Sequence, residues 1–127
     1  MAVAWTVEFA AEFEPEFDEL SEDVQDELLA QAGLLGQIGP QLGRPRVDTL
    51  KGSRHANMKE LRFEGQKGSE EWRAAFAFNP EREAVILVAG AKQGRDQAQF
   101  YRKLIREADR RFDNHLKAVS AARSRRR

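Results

Sequence analysis

The chain switches between two hydrophobic periods. Trp5, Val7 and Phe9 alternate with Thr6 and Glu8, a period of two that predicts a strand over residues 5–9. From Glu14-Pro15-Glu16 the period lengthens. Phe17, Leu20, Val24, Leu28, Ala32 and Leu35 recur at helical spacing, with Glu19, Glu22, Asp23, Asp26 and Glu27 on the other face. A proline suits the first helical turn, and early acids suit the positive end of the helix dipole. Gly33, Gly36 and Gly39-Pro40 weaken and end this helix. Residues 40–57 read as an irregular connection carrying Pro40 and Pro45. A second strand follows over 58–63. In the third, Trp72, Ala74, Phe76 and Phe78 share one side and Arg73, Ala75 and Ala77 the other. Residues 84–89 are almost purely apolar, the mark of a strand buried on both faces. A last helix runs from Asp96 to about Val119, with Tyr101, Leu104, Ile105, Ala108, Phe112 and Leu116 on its apolar stripe. The pattern predicts one domain over residues 1–119, followed by a basic, disordered tail over 120–127. That tail, with Arg123, Arg125, Arg126 and Arg127, suits non-specific affinity for RNA rather than chemistry.

Composition narrows the classes. The absence of cysteine excludes disulfides, thiolate metal sites and cysteine nucleophiles. Two histidines far apart argue against a zinc site, and no glycine loop of phosphate-binding type is present. No cofactor is expected. No apolar run reaches the roughly 18 residues of a membrane span, and the first eight residues lack the basic start of a signal peptide. A cytoplasmic protein without membrane contact is the expectation. A formal net charge of zero hides an asymmetry. Residues 1–50 hold 11 acidic against 2 basic side chains, and residues 51–127 hold 10 against 19. This reads either as two solvated helices of opposite sign or as a polarised molecule with one face for a polyanion.

Three strands carry cations at or near their ends: Lys59 and Arg62, then Arg73, then Lys92. Paired in one sheet, unmatched by carboxylates, they line one surface and suit RNA or DNA. Arg62 and Arg73 both take the parity that points away from the core. Ala75 and Ala77 beside Arg73 would let a ligand backbone lie close to the sheet. Lys59 has the wrong parity for that surface.

Several segments together carry a family resemblance: Leu42-Gly43-Arg44-Pro45, residues 48–55 (Asp-Thr-Leu-Lys-Gly-Ser-Arg-His), Lys59-Glu60-Leu61-Arg62, Trp72-Arg73, Ala91-Lys92 and residues 100–105 (Phe-Tyr-Arg-Lys-Leu-Ile). The set resembles the HigB-like branch of the RelE/ParE toxin superfamily, over residues 3–117. The resemblance implies a small α+β fold with helices packed on one face of a twisted, mostly antiparallel sheet. It also implies cleavage of mRNA, usually in the ribosomal A site, and neutralisation by a small helix-turn-helix antitoxin. In the implied reaction the ribose 2′-OH attacks the adjacent phosphate. Carried over, Arg62, Arg73 and Lys92 are the catalytic residues, and Arg54, His55 and Lys59 are basic residues that bind RNA. Arginine's planar fork matches phosphate oxygens, whereas the general base is not identified.

Plainer readings stand beside these. Arg62 pairs as well with Glu60 or Glu64, and Arg73 with Glu70 or Glu71, as surface salt bridges. Lys92 reads equally as a solvated loop residue, His55 as a loop residue bonded to backbone, His115 as structural, and Tyr101 as core. Two other functions share the fold: a ParE-like inhibitor of DNA gyrase, and a nucleic-acid-binding relative without catalysis.

Overall fold

The computed structural model describes residues 4–94 and 96–126. Five strands form one sheet: β1 (Thr6–Phe9), β2 (Val47–Thr49), β3 (Lys59–Gly65), β4 (Glu70–Phe78) and β5 (Glu83–Ala91). Their order across the sheet is β1-β5-β4-β3-β2, with β1 parallel to β5 and every other pair antiparallel. Three helices accompany it: α1 (Glu14–Asp18), α2 (Glu22–Ile38) and α3 (Gln97–Arg125). None of the described helices is long and apolar enough to cross a membrane.

The α+β class and the mostly antiparallel sheet agree with the sequence pattern, whereas the placement of the helices differs from the expected single face. Register fixes the two faces. Phe63 sits opposite Trp72 and Leu61 opposite Ala74, so these share a face with Phe76. That face receives α2: a Cβ on Gly65 would meet Val24 and the Trp72 indole at 2.8 and 2.9 Å. Gly90, opposite Arg73, belongs to the other face, and a Cβ there would meet Phe100 of α3 at 3.2 Å. The sheet is therefore sandwiched, and residues 74–77 and 84–87 are wholly buried. The small Ala75 and Ala77 make room for α3, not for a ligand.

Three further departures have local causes. The predicted first helix is two: α1 ends at Asp18, and Ser21 caps a new helix, α2, by accepting from the Val24 N–H at 3.4 Å. The irregular connection contains the short β2, whose three residues pair with β3. Beyond Val119, α3 continues to Arg125, so residues 120–125 are helical instead of a disordered tail. There Arg123 reaches back to Glu81 at 2.9 Å. Arg127 of the predicted tail lies outside the described residues, as do residues 1–3 of the predicted leaderless start.

Two polar anchors join the layers. Opposite Ala75 and Phe76, β5 carries one extra residue, Leu87. Its carbonyl accepts from buried Arg111 at 2.8 Å, and the same guanidinium grips Glu16 of α1 at 2.6 and 2.8 Å. The loop after β2 is stitched to α3 by two aspartates. Buried Asp109 accepts from the Ser53 hydroxyl and from the Arg54 N–H. Asp113 pairs with Arg54 and, at 2.8 Å, with His55.

Two tests follow from these contacts. Gly39 ends α2 at φ +75°, and a Cβ there would run into the Trp5 indole. Gly39→Ala should cost about 1–3 kcal/mol from backbone strain alone, read as a fall in the urea midpoint. The His55 hydrogen bond, aided by Arg54, holds the Asp113 carboxyl below its ordinary pKa. A depressed folded-state pKa gives stability that is present above the unfolded value and lost as pH falls through the folded one. Asp113→Asn should lower the melting temperature at neutral pH, and the gap to the parent should narrow as the pH falls below the ordinary carboxylate range.

Candidate active site

The β3–β4 register places Arg62 directly opposite Arg73, on the face shared with Asp48 and Glu60. The two arginines are not unmatched, as the sequence reading expected. Arg62 Nη2 lies 3.2 Å from Asp48 and 3.7 Å from Glu60. Arg73 Nε lies 3.2 Å from Glu60, and its Nη2 lies 3.6 Å from Glu71. Two like charges facing each other across a ladder repel, and Glu60, one strand pair away and on the same face, offsets that repulsion. The Arg73 side chain retains only 10% of its accessible surface, so it is an interior arginine beneath the edge of α3, where a surface residue was expected.

The hub is Glu60, itself buried. One of its oxygens also accepts from the Tyr101 hydroxyl at 2.8 Å, drawing α3 into the cluster. Burial, and then this hydrogen bond to a carboxylate, push the Tyr101 pKa up. Its hydroxyl therefore stays protonated and is available as a proton donor. Lys92 follows β5 on the same face. Its backbone N–H bonds the Glu71 carbonyl at 2.6 Å, and its Nζ stands 5.9 Å from the Tyr101 ring centroid. Thus Arg62, Arg73 and Lys92 gather around Glu60 and Tyr101.

Among the described residues, the buried Nε atoms of Arg62 and Arg73 have no hydrogen-bond partner. The contact of Arg73 Nε with Glu60 is close but poorly aligned, an ion pair without a hydrogen bond. Two grooves reach the cluster. One, of about 660 Å³, is lined by Arg46, Arg62, Glu64, Glu71 and Arg73, with Glu27 and Gln31 at its α2 side. The other, of about 320 Å³, is lined by Arg44, Asp48, Lys51, Glu60 and Tyr101. The Arg44 hydrogen bond, and then the Thr49 N–H, hold the Asp48 pKa down. The cluster thus has the parts for phosphoryl chemistry: paired guanidinium groups, a protonated hydroxyl and buried carboxylate oxygens.

The three residues expected to bind RNA sit elsewhere. Arg54 and His55 are spent on Asp109 and Asp113, and the His55 ring packs edge-on against Phe112 at 4.9 Å. Lys59 pairs with Phe76 and Thr49, which puts it on the opposite face from Arg62. The sequence reading also missed two members. Tyr101 lies on the helical stripe as predicted, but its hydroxyl extends past the apolar layer. Glu60 was considered only as a partner for Arg62. The signal available for both was the pairing of one polar-tipped aromatic with one acid on the arginine face.

The only set of metal-ligand type among the described residues is Glu8, Glu83 and His115. The Asn79 amide oxygen accepts from two backbone N–H groups, which turns its Nδ2 toward Glu83 and toward His115 Nε2, each at 2.8 Å. The imidazole nitrogen is thereby engaged in a structural hydrogen bond. Burial and neighbouring Glu83 raise the Glu8 pKa.

Phage-derived Gp49-like proteins match residues 15–113. Two Mycobacterium tuberculosis proteins named as toxins are similar in sequence. HigB2 is 46% identical over 97 residues, covering 76% of this chain and 47% of that protein. HigB3 is 39% identical over 100 residues, covering 79% and 83%. The chain therefore spans about half the length of the first relative and most of the second. Among solved structures, an arginine-to-alanine double mutant of the E. coli toxin RelE in the free state superposes with a TM-score of 0.57 at 14% identity. That match covers 80% of this chain and 94% of the other, and it bears on the fold. With a family match over most of its length and relatives at these identities, the chain belongs to the Gp49-like family, with HigB toxins among its relatives.

Proposed function

We propose that this protein is the toxin of a type II toxin–antitoxin pair and an endoribonuclease that cleaves mRNA in the ribosomal A site. The observation that carries the reading is the facing Arg62 and Arg73, held around one buried carboxylate together with a protonated tyrosine. Such a cluster has little use on a surface that meets only water. Its partner on this reading is a small helix-turn-helix antitoxin, as the family implies.

The proposed reaction follows from the groups present. The scissile phosphate enters between Arg62 and Arg73, and their forks take its non-bridging oxygens. A phosphate competes there with Glu60 and Asp48 for the same guanidinium groups. Once the arginines turn to the phosphate, the Glu60 carboxylate is released to accept the proton of the attacking 2′-OH. The new O2′–P bond forms as the P–O5′ bond breaks, and Tyr101 gives its proton to the departing O5′. The products are a 2′,3′-cyclic phosphate and a 5′-hydroxyl. Lys92 adds positive charge where the phosphorane becomes more negative.

Tyr101→Phe should lower single-turnover cleavage about 10²–10⁴-fold, with the protein still folded, since Glu60 loses a hydrogen bond but keeps its ion pairs to Arg62 and Arg73. Cleavage at the parental rate would remove Tyr101 from the mechanism. Arg73→Ala should abolish cleavage and also destabilise the protein, by up to about 3–5 kcal/mol, because it breaks a buried pair. Arg73→Lys retains the charge without the fork and separates the two effects: a stable, inactive Arg73→Lys protein supports phosphate clamping.

Expression alone should arrest bacterial growth, and co-expression with the adjacent small reading frame should restore it. Primer extension after brief induction should show cuts within translated codons. Growth arrest with intact transcripts and stalled DNA gyrase would favour the ParE-like alternative instead.

A further inference from the structure

The surface continues past Tyr101 into a groove of about 480 Å³ between the loop after β2 and α3, lined by Lys51, Gly52, Tyr101, Arg102, Ile105 and Arg106. It shares Lys51 and Tyr101 with the groove that reaches Glu60, so the two form one path from the cluster along α3. Sequence spacing explains the wall. Residues 101, 102, 105 and 106 fall on one helical stripe. The opposite wall is fixed by the bonds of Asp109 to Ser53 and to the Arg54 N–H, just beyond Gly52. Gly52 itself stands at φ +99°, a conformation that L side chains rarely adopt. The floor is part apolar, from Ile105 and the Tyr101 ring.

Several arginines of the basic half are already matched. Arg54, Arg110, Arg111 and Arg123 each meet a carboxylate. Lys51, Arg102 and Arg106 form no salt bridge or side-chain hydrogen bond among the described residues, and all three are exposed. Three exposed cations without a carboxylate partner thus stand together beside the groove that leads to the cluster. Arg102 and Arg106 lie about 6 Å apart along the helix axis, a spacing that suits neighbouring phosphates of one strand.

We propose that this groove is the track for single-stranded RNA flanking the scissile phosphate. Lys51, Arg102 and Arg106 hold successive phosphates, and a base packs on Ile105 and the Tyr101 ring. The proposal rests on the reading that the Glu60 cluster cleaves RNA. It replaces Arg54, His55 and Lys59 as the RNA-binding set. An acidic segment of a protein partner would be drawn to the same cations, but the continuity with the cluster and the apolar floor favour a nucleic acid.

The test separates binding from cleavage. Binding is measured with a 2′-O-methyl RNA oligonucleotide of mixed sequence, which lacks the attacking hydroxyl, over a range of salt. Cleavage is measured on mRNA in a translating extract. The protein with Lys51→Gln, Arg102→Gln and Arg106→Gln, all exposed changes, should melt like the parent. Its affinity for the oligonucleotide should fall at least tenfold, and the slope of log affinity against log salt should shrink by about 2, roughly 0.7 for each phosphate no longer neutralised. Cleavage of mRNA at limiting protein should fall in step with that affinity. Should the triple variant fold poorly, Arg102→Gln alone should lower the slope by about 0.7. Parental affinity and slope in the variants would overturn the track, as would a parent protein that does not bind the oligonucleotide at low salt. Loss of antitoxin binding with RNA affinity unchanged would overturn it too, by assigning the groove to a protein partner. A parent that binds RNA through these three residues but leaves mRNA intact would sustain the track and remove the nuclease reading.

Discussion

A single buried carboxylate, that of Glu60, is the constraint on which the working face depends. A charge taken out of water must be paired, or it costs several kcal/mol. Glu60 finds its partners on three elements: Arg62 on its own strand, Arg73 on β4 and Tyr101 on α3. A one-residue slip of β3 against β4 would send Glu60 and Arg62 to the α2 side, against Trp72 and Phe76, and leave Arg73 without its carboxylate. The charge cluster therefore selects the same register that the apolar alternation selects. Placement of α3 is tied to it as well, through one phenolic hydroxyl at the site and through Asp109 and Arg111 farther along.

The parts of this arrangement that obey a short period were legible in the sequence. Alternation alone put Arg62 and Arg73 on one face and Trp72, Phe76 and Phe78 on the other. It also showed that Lys59 has the wrong parity, which its position opposite Phe76 reflects. The apolar run at 84–89 announced a strand covered on both sides, and residues 84–87 are indeed wholly buried. That same observation, pressed further, argued for helices on both faces of the sheet. The expectation of one face came from family resemblance, and the local pattern was the better guide.

What was not legible depends on distant contacts. Nothing local distinguishes Asp48 or Glu60 from an ordinary surface acid, and their roles arise only when β2, β3 and β4 pair. The likeness of Tyr101 to its apolar neighbours on the stripe hid its hydroxyl, because a helical wheel records direction but not reach. Arg54 and His55 read as free cations because their aspartates lie more than fifty residues on. Ser21 is the exception: a serine ahead of two acids and a valine is a local cap signal, and it marks the break between α1 and α2.

The opposed charge of the two halves of the chain resolves in the same terms. Part of it is internal adhesion, since Glu12 and Glu16 of the acidic half bind Arg110 and Arg111 of the basic half. Exposed pairs of that kind contribute little each, but Arg111 is buried and is also bonded to the Leu87 carbonyl. The cations fall into two groups with different fates. Those matched to carboxylates position the helices or the cluster, and among those left unmatched Lys51, Arg102 and Arg106 line the groove beside Tyr101. Within the cluster itself the match is exchangeable. On the proposed reading, a phosphodiester offers Arg62 and Arg73 two non-bridging oxygens much as a carboxylate does, so RNA displaces Asp48 and Glu60 without leaving a guanidinium unpaired. On that reading the resting ion pairs keep the arginines oriented in the absence of substrate, and the arriving phosphate frees the base.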